Sequence, residues 1–368
     1  IPAQTGLPGK FSKEQLPEKM RTRINPIVST VPEEVPPHLA ELYQRAAEGC
    51  QDLKQKLELD KLLIKYQGTF IKSDGDVGQT NLVEHSIPLI DGAKPIRQPP
   101  HRLGPVKEIE ANKQVQELLA KGMIEPANGA WSSPVVRVRK QDGGWRFCID
   151  YRRLNAVTQH DAYPLPRIDE SLDALAGSKC FSTLDLTSGY WQVPLDKDAQ
   201  EKSAFATRDG LWKWKVLPFG LTSAPATFQR LMETVLQGMH WKSILLYLDD
   251  IIVIAPDVAT HLTRLEEVLQ RRSKAGLKLK PAKCELLQRE VKYLGHVVNA
   301  DGVATDPDKI AAVKDWPTPR NLTDLQTFLG TTRYYRQYMK DYATEAKPLT
   351  NLTRKEVLWS WTAAEQSL

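Results

Sequence analysis

Cysteine is scarce: four in 368 residues (Cys50, Cys148, Cys180, Cys284), far apart and in no C-x-x-C or Cys/His grouping. That excludes a disulfide-stapled miniprotein and favours a reduced, intracellular compartment. The seven histidines (His38, His85, His101, His160, His240, His261, His296) form no H-x-E or H-E-x-x-H pattern, which argues against a zinc site. No apolar run approaches the roughly 18 residues of a membrane helix, and no charged-then-apolar leader opens the chain. Neither a membrane span nor a secretion signal is expected. Internal repeats and low-complexity blocks are absent too. A strong charge of one sign is also missing, since 50 Lys and Arg against 45 Asp and Glu leave +5, too little to prove a polyanionic partner. The first residue is Ile1 rather than Met, which points to a fragment of a longer polypeptide.

What the sequence has is 41% hydrophobic residues over a length that suits two to three packing units. Its basic residues are unevenly placed. Nine Lys or Arg against four Glu fall between His261 and Ala300, which fits either a phosphate-facing surface or a solvated helix face. Prolines and one helical pattern (Leu39, Leu42, Tyr43, Ala46, Ala47, Cys50) mark an accessory helix near the start, with Pro37 where it begins. A second helix is expected over Lys107 to Leu119, closed by Gly122. Alternating Ser133–Lys140 and Trp145–Tyr151 flank Asp142-Gly143-Gly144 and read as a hairpin. A second Asp-Gly turn, Asp209-Gly210, separates Ser203–Thr207 from Leu211–Val216. Helices are expected from about Ser223, over Ala259–Ala275 and over Leu322–Tyr338, and Val291–Val298 reads as one extended run. Interleaved strands and helices with several hairpins give an α+β class with a mainly antiparallel sheet.

The most informative segment is Ser243–Ala255, where Asp249 and Asp250 interrupt a continuous apolar run that reads as a strand or a tight strand pair. Two adjacent ionised carboxylates in such a setting lose hydration and repel each other. No Lys or Arg lies within the apolar run to compensate, whereas divalent cations, for which hard oxygen ligands suit Mg²⁺, would neutralise both. The bland alternative is an Asp-Asp turn at a surface hairpin. Asp185, at the end of Phe181–Leu184, is a third candidate, although a lone Asp there is also a common cap or turn former. Three such carboxylates could hold two metal ions for phosphoryl or nucleotidyl transfer.

At these residues the sequence resembles reverse transcriptases of gypsy-type long-terminal-repeat retrotransposons, over about Asn81 to Trp361. Trp145–Arg152 resembles the fingers hairpin, Phe181–Val193 the first carboxylate motif, Leu217–Phe228 the motif that follows, and Tyr247-Leu248-Asp249-Asp250 the paired-aspartate turn. The resemblance implies a right-hand polymerase: residues 1–80 an accessory or linker segment with one helix, 81–298 fingers and palm, 299–368 thumb and connection. It implies that Asp185, Asp249 and Asp250, with the Leu186 carbonyl, bind two Mg²⁺, or Mn²⁺ in their place. The activity implied is RNA-directed synthesis of DNA from deoxynucleoside triphosphates on an RNA or DNA template with a primer, in the cytoplasm, within a retrotransposon particle or in the nucleus, with no membrane partner.

By the same resemblance Lys140 and Arg146 grip the triphosphate, though on alternation alone they are exposed strand residues. Tyr190, five residues past Asp185, matches the gate that excludes a 2′-hydroxyl, or is a core aromatic. Phe219-Gly220 would line the nucleotide pocket. Lys283 aligns with a lysine that protonates departing pyrophosphate, or it contacts backbone phosphate. Leu294-Gly295 resembles the primer grip, where glycine admits close backbone approach, and Asp150 and Arg152 are template-side candidates. No D-T-G or D-S-G protease motif is present, and Trp359-Ser360-Trp361 looks like the lead-in to a ribonuclease H module that is then cut off, so polymerisation without RNA degradation is expected. Two rivals remain: a catalytically silent nucleic-acid-binding remnant of the same fold, and a different two-metal enzyme such as a nuclease.

Overall fold

The computed structural model describes residues 35–366, apart from positions 74, 103, 140–144, 176, 187 and 356. Lys140 and the expected hairpin turn Asp142-Gly143-Gly144 therefore lie outside the described residues.

The chain opens with a 3-10 turn at Pro37–Leu39 and helix α1 (Ala40–Ala47), as the leucine spacing and Pro37 require. A second helix, α2 (Leu53–Lys65), follows, so the segment carries two helices rather than the one expected. Asp52 caps it, accepting from the Gln55 amide at 2.8 Å, and Leu59, Leu62 and Leu63 are its buried stripe. Both helices share one core with the body of the molecule, where Leu42 and Leu63 join Leu265, Leu269 and Leu286.

Helix α3 (Pro105–Ala120) ends before Gly122, whose φ of +68° suits only the glycine that stops it. Next come β1 (Ile124–Pro126), β2 (Ser133–Arg139) and β3 (Trp145–Ile149). After the short helices α4 (Arg152–Asn155), α5 (Ile168–Asp173) and α6 (Lys197–Lys202), β5 (Phe205–Thr207) and β6 (Gly210–Trp214) complete a five-stranded sheet in the order β1-β6-β5-β2-β3. Its pairs are antiparallel except β2 with β5.

The central sheet is built from β4 (Cys180–Leu184), β7 (Ile244–Tyr247), β8 (Asp250–Ala255) and β9 (Glu285–Gln288), in the order β7-β8-β4-β9. Every pair in it is antiparallel. Its strands are apolar on both faces because both are covered. Leu246, Ile251 and Val253 face the large core with α7 (Ala224–Val235) and α8 (Val258–Lys274), whereas Leu245, Ile252 and Ile254 pack with Val291, Tyr293 and Val298 in a second core.

The run expected to be one extended strand, Val291–Val298, is instead a tight hairpin: β10 (Glu290–Tyr293) turns at Leu294-Gly295 into β11 (His296–Asn299), and β12 (Gly302–Thr305) follows. Left-handed φ at both Leu294 (+49°) and Gly295 (+79°) makes the two-residue loop. Helix α9 (Pro307–Lys314) and helix α10 (Leu322–Tyr334) lead into shorter turns, the first of them a 3-10 turn at Arg336–Tyr338.

In the basic stretch part of the charge is engaged within the chain, while Lys274, Lys283, Arg289 and Lys292 are exposed. Arg264 donates to the Ile254 carbonyl and Arg271 to Glu267, both at 2.5 Å, and Lys292 pairs with Asp306 at 3.1 Å. Lys278 pairs with Asp76, and Arg272 is fully buried on the apolar face of α8.

Candidate active site

The two aspartates sit where the strand pair β7–β8 turns. Tyr247 pairs with Asp250, leaving Leu248 and Asp249 as a two-residue loop. Leu248 has φ +55°, a conformation that costs a bulky residue about 1–3 kcal/mol and that persists only where surroundings impose it. The imposing group is Gln229, fully buried on α7, whose Oε1 accepts the Leu248 amide at 2.8 Å. Its own side-chain amide donates to Glu233 at 2.8 Å, and Glu233 accepts the Tyr163 hydroxyl.

Register brings the third carboxylate in. Leu184 pairs with Ile251, so Asp185, one residue further along β4, comes opposite Asp250. Lys283 lies in the turn Pro281–Lys283 and reaches the Asp185 oxygens at 3.0 and 3.3 Å. Lost hydration, and then the charges of Asp249 and Asp185, push the Asp250 carboxyl up to about 6, with Lys283 opposing. Asp249 is also raised, first by lost hydration and then by Asp185.

Two grooves meet at this cluster. One, about 750 Å³, is lined by Asp185, Leu186, Asp249 and Lys283 from below and by Phe147, Ile149, Pro218 and Phe219 from the other wall. The other, about 220 Å³, is lined by Asp185, Asp250, Lys283, Tyr293 and Leu294. Asp185 and Lys283 belong to both.

Tyr190 stands in a 3-10 turn (Gly189–Gln192) with its ring edge-on to Phe219 at 5.3 Å and to Phe228 at 5.2 Å. Burial, and then the charge of Asp249, push its hydroxyl up to about 12, so it stays protonated. Gly189 is required here, since a Cβ would come within 2.9 Å of the Phe228 ring. Phe219 is half exposed, and Gly220, at φ +98°, has its carbonyl bound by the Asn155 side-chain amide at 2.8 Å.

The remaining candidates are more scattered. Arg146 is on β3 opposite Val138, but its side chain lies outside the described residues, as does Lys140. Asp150 and Arg152 bind each other at 2.7 and 2.9 Å, and that guanidinium holds the Asp150 carboxyl down at about 2. This pair is not among the residues lining either groove. Leu294-Gly295 does line the smaller groove through Leu294, yet its glycine serves the turn's positive φ rather than close approach of two backbones.

Sequence patterns passed over Gln114 and Glu117 of α3 and Lys121 at its end, which line the larger groove, and Gln229, which holds the Leu248-Asp249 turn. A polar residue at a buried position of an amphipathic helix was the available signal for Gln229.

The donor set at the groove junction is three carboxylates, hard oxygen ligands, with two of them pushed toward protonation by lost hydration and by one another. That suits a divalent cation. Among the described residues, however, no group of three or more His, Cys, Asp or Glu stands close enough together to hold a metal ion, so the fit rests on the chemistry of the donors and not on a closed ligand set. No helix among them is long and apolar enough to cross a membrane.

Residues 138–298 match the family described as reverse transcriptase (RNA-dependent DNA polymerase). The chain is 37% identical over 307 residues to the retrovirus-related Pol polyprotein from transposon 297 of Drosophila melanogaster, covering 82% of this chain and 29% of that one. To the corresponding polyprotein from transposon opus of the same species it is 42% identical over 250 residues, 67% of this chain and 25% of that one. Among solved structures it is similar to the foamy viral protease-reverse transcriptase in complex with RNA/DNA hybrid: TM-score 0.78, 26% identity, 89% of this chain and 44% of that one. For the same viral protein in its dRH form with double-stranded DNA the TM-score is 0.81 at 26% identity, covering 89% of this chain and 58% of that one. The chain thus spans less than a third of the length of these two curated relatives.

Proposed function

We propose, from the premise that this chain belongs to the reverse transcriptase family and has its right-hand polymerase fold, that it is an RNA-directed DNA polymerase of a retrotransposon. The observation that carries this is the single groove of about 750 Å³ in which Asp185, Asp249 and Lys283 face Phe219 and β3.

In this proposal the primer 3′-hydroxyl attacks the α-phosphate of a deoxynucleoside triphosphate in line and pyrophosphate leaves. Asp185, Asp249, Asp250 and the Leu186 carbonyl would hold two Mg²⁺, or Mn²⁺, which when bound supply charge stabilisation at the phosphate oxygens. Tyr190, braced between Phe219 and Phe228, stands as a neutral wall against a 2′-hydroxyl. Phe219-Gly220 packs against the nucleotide, and Lys140 and Arg146 take the triphosphate oxygens. Lys283, already on Asp185, is the cation for departing pyrophosphate. The smaller groove, with Leu294-Gly295 at its rim, takes the primer end, and Asp150 and Arg152 lie on the template side. Residues 81–298 serve as fingers and palm, and 299–368 as thumb and connection. The partners are an RNA or DNA template with primer, and the place of work is the cytoplasm or a retroelement particle.

Primer extension on an RNA template with Mg²⁺ and deoxynucleotides tests this, beside an Asp249→Asn, Asp250→Asn double variant. The variant should lose at least about a hundredfold, since even partners one shell beyond a metal's ligands are worth about 10–100-fold. No extension by the parent with duplex binding intact would replace the polymerase by a binding-only remnant. Cleavage of the duplex without any need for deoxynucleotides would replace it by a nuclease.

A further inference from the structure

Helix α1 lies outside the residues that match the family, yet it touches the turn that carries Lys283. From its half-buried position, Arg45 Nη2 donates to the Pro281 carbonyl at 3.1 Å and to the Cys284 carbonyl at 3.1 Å. These two carbonyls bracket Lys283. The turn between them is closed by the Cys284 amide donating to the Pro281 carbonyl at 3.2 Å and the Lys283 amide to the Lys280 carbonyl at 3.0 Å.

On its other side the same turn is tied to the active site. The Lys280 amide donates to the Asp185 carbonyl at 3.1 Å, and Lys283 Nζ lies 3.0 Å from the Asp185 carboxylate. The turn is therefore held between two anchors, Asp185 inside and Arg45 outside. The helix that carries the outer anchor is itself fixed. The Gln288 side chain on β9 donates to the Arg45 carbonyl at 3.3 Å. Gly49, just past the helix, packs so closely that a Cβ there would stand 1.9 Å from the Leu287 carbonyl oxygen. A guanidinium with one nitrogen bridging two carbonyls immobilises a backbone segment more firmly than one contact, because both ends of the turn must move together to break it.

We infer that Arg45 is a positioning residue for nucleotidyl transfer, acting through the Pro281–Lys283 turn to keep the Lys283 ammonium on the Asp185 side of the groove. The accessory helix is thereby a working part of the active site rather than a linker. The catalytic half of this inference rests on the polymerase assignment above, and the bracing half does not.

Two measurements on the full 368-residue chain separate them. The first is amide hydrogen exchange in the parent and in Arg45→Met. Faster exchange at Lys283 and Cys284, with β7 and β8 unchanged, is expected, and unchanged exchange at those two amides would overturn the brace whether or not the chain polymerises. The second is a double-mutant cycle in primer extension. Arg45→Met should lower kcat about tenfold, the worth of one or two hydrogen bonds from a charged donor, and should cost nothing further when Lys283 is already Ala. A helix anchor with no bearing on Lys283 would give the same fold loss in both backgrounds, and that result overturns the positioning role. A parent that does not extend primers overturns the polymerase assignment instead, with the exchange experiment still deciding the brace. If Arg45→Met does not fold, Arg45→Lys carries the same cycle, with a smaller loss that must again vanish in the Lys283→Ala background.

Discussion

Two hairpin loops of this molecule open on the same Tyr-Leu pair and are built differently. Tyr247-Leu248-Asp249-Asp250 and Tyr293-Leu294-Gly295-His296 each join antiparallel strands through two residues, and each puts its leucine at positive φ, +55° and +49°. In the second loop the next residue is glycine, also at positive φ, so the pair matches the twist of its strands at low cost. In the first loop the next residue is Asp249, and only the leucine is left-handed. A carboxylate stands where glycine would suit the turn, and the turn is held from outside by Gln229. The second loop owes its shape mainly to its own residues, with the His296 ring nitrogen 3.0 Å from the Leu294 carbonyl and a glycine at positive φ, and from outside the Asp306 amide stands 3.4 Å from the Gly295 carbonyl. The loop with the carboxylates has a turn without glycine, held by a buried side chain from helix α7, whereas the other loop takes its left-handed pair from a glycine of its own.

The sharpest way to break the contrast is to remove the outside support. Gln229→Leu fills much the same space but leaves the half-buried Leu248 amide without its acceptor. Stability should fall by about 1–3 kcal/mol, the cost of a buried donor left unpaired, measured by urea unfolding. Primer extension should fall further than that loss of folded protein explains, because Asp249 rides on the loosened turn. Wild-type kcat in a folded Gln229→Leu protein would mean that the strand pair alone fixes the turn.

This contrast also marks how far the sequence could be read. The strand pair β7–β8, the hairpin β2–β3 and the antiparallel class were legible because periodicity and Asp-Gly turns are local signals. The two aspartates stood out because adjacent carboxylates that interrupt an apolar run call for compensation, and the structure sets both, exposed, at the turn of the β7–β8 hairpin. Val291–Val298 was misread as one strand, since Leu294 gives no hint of positive φ and the glycine alone reads as a bulge. Helix α2 was missed because its apolar stripe begins late, after Lys-rich turns exposed to solvent. Arg272 counted toward a basic surface, yet it occupies a core position of α8 that composition cannot distinguish. Gln229 and Arg45 escaped for a different reason: each acts on a residue 19 or more positions away, and only tertiary contact reveals the partner.

A smaller effect tests the loop that carries its own glycine. At Gly295 the added methyl of Gly295→Ala would be 3.4 Å from the Tyr335 hydroxyl, tight but tolerable, so the penalty is mainly that of φ +79° for a residue with a Cβ. A loss of about 1 kcal/mol is expected in urea unfolding. Extension should drop no more than the folded fraction does, since the loop offers backbone and not a side chain. A loss well above that, or a collapse of activity, would show that Gly295 is needed for close approach of the primer and not only for the turn.

The smallest difference is electrostatic, and it has opposite signs at the two loops. The Asp250 carboxyl, lifted from its ordinary 3.8 to about 6, holds a proton that the unfolded chain has already released. The folded state binds more protons across that interval, so stability falls as pH rises from about 4 to about 6. Beside the other loop, Asp306 is held below its ordinary value, first by the Asp308 amide and then by Lys292, while its own amide donates to the Gly295 carbonyl at 3.4 Å. There the unfolded chain takes up the proton first, so stability present above the ordinary carboxylate range is lost as pH falls. Urea midpoints followed against pH should therefore gain from Asp250→Asn at neutral pH, where the substitution removes a charge the fold resists. They should lose from Asp306→Asn at the same pH, and the two variants should converge as the pH drops below about 4. Parallel pH profiles for both variants would mean that the carboxylates of the two loops share one electrostatic environment. The contrast would then be one of backbone alone.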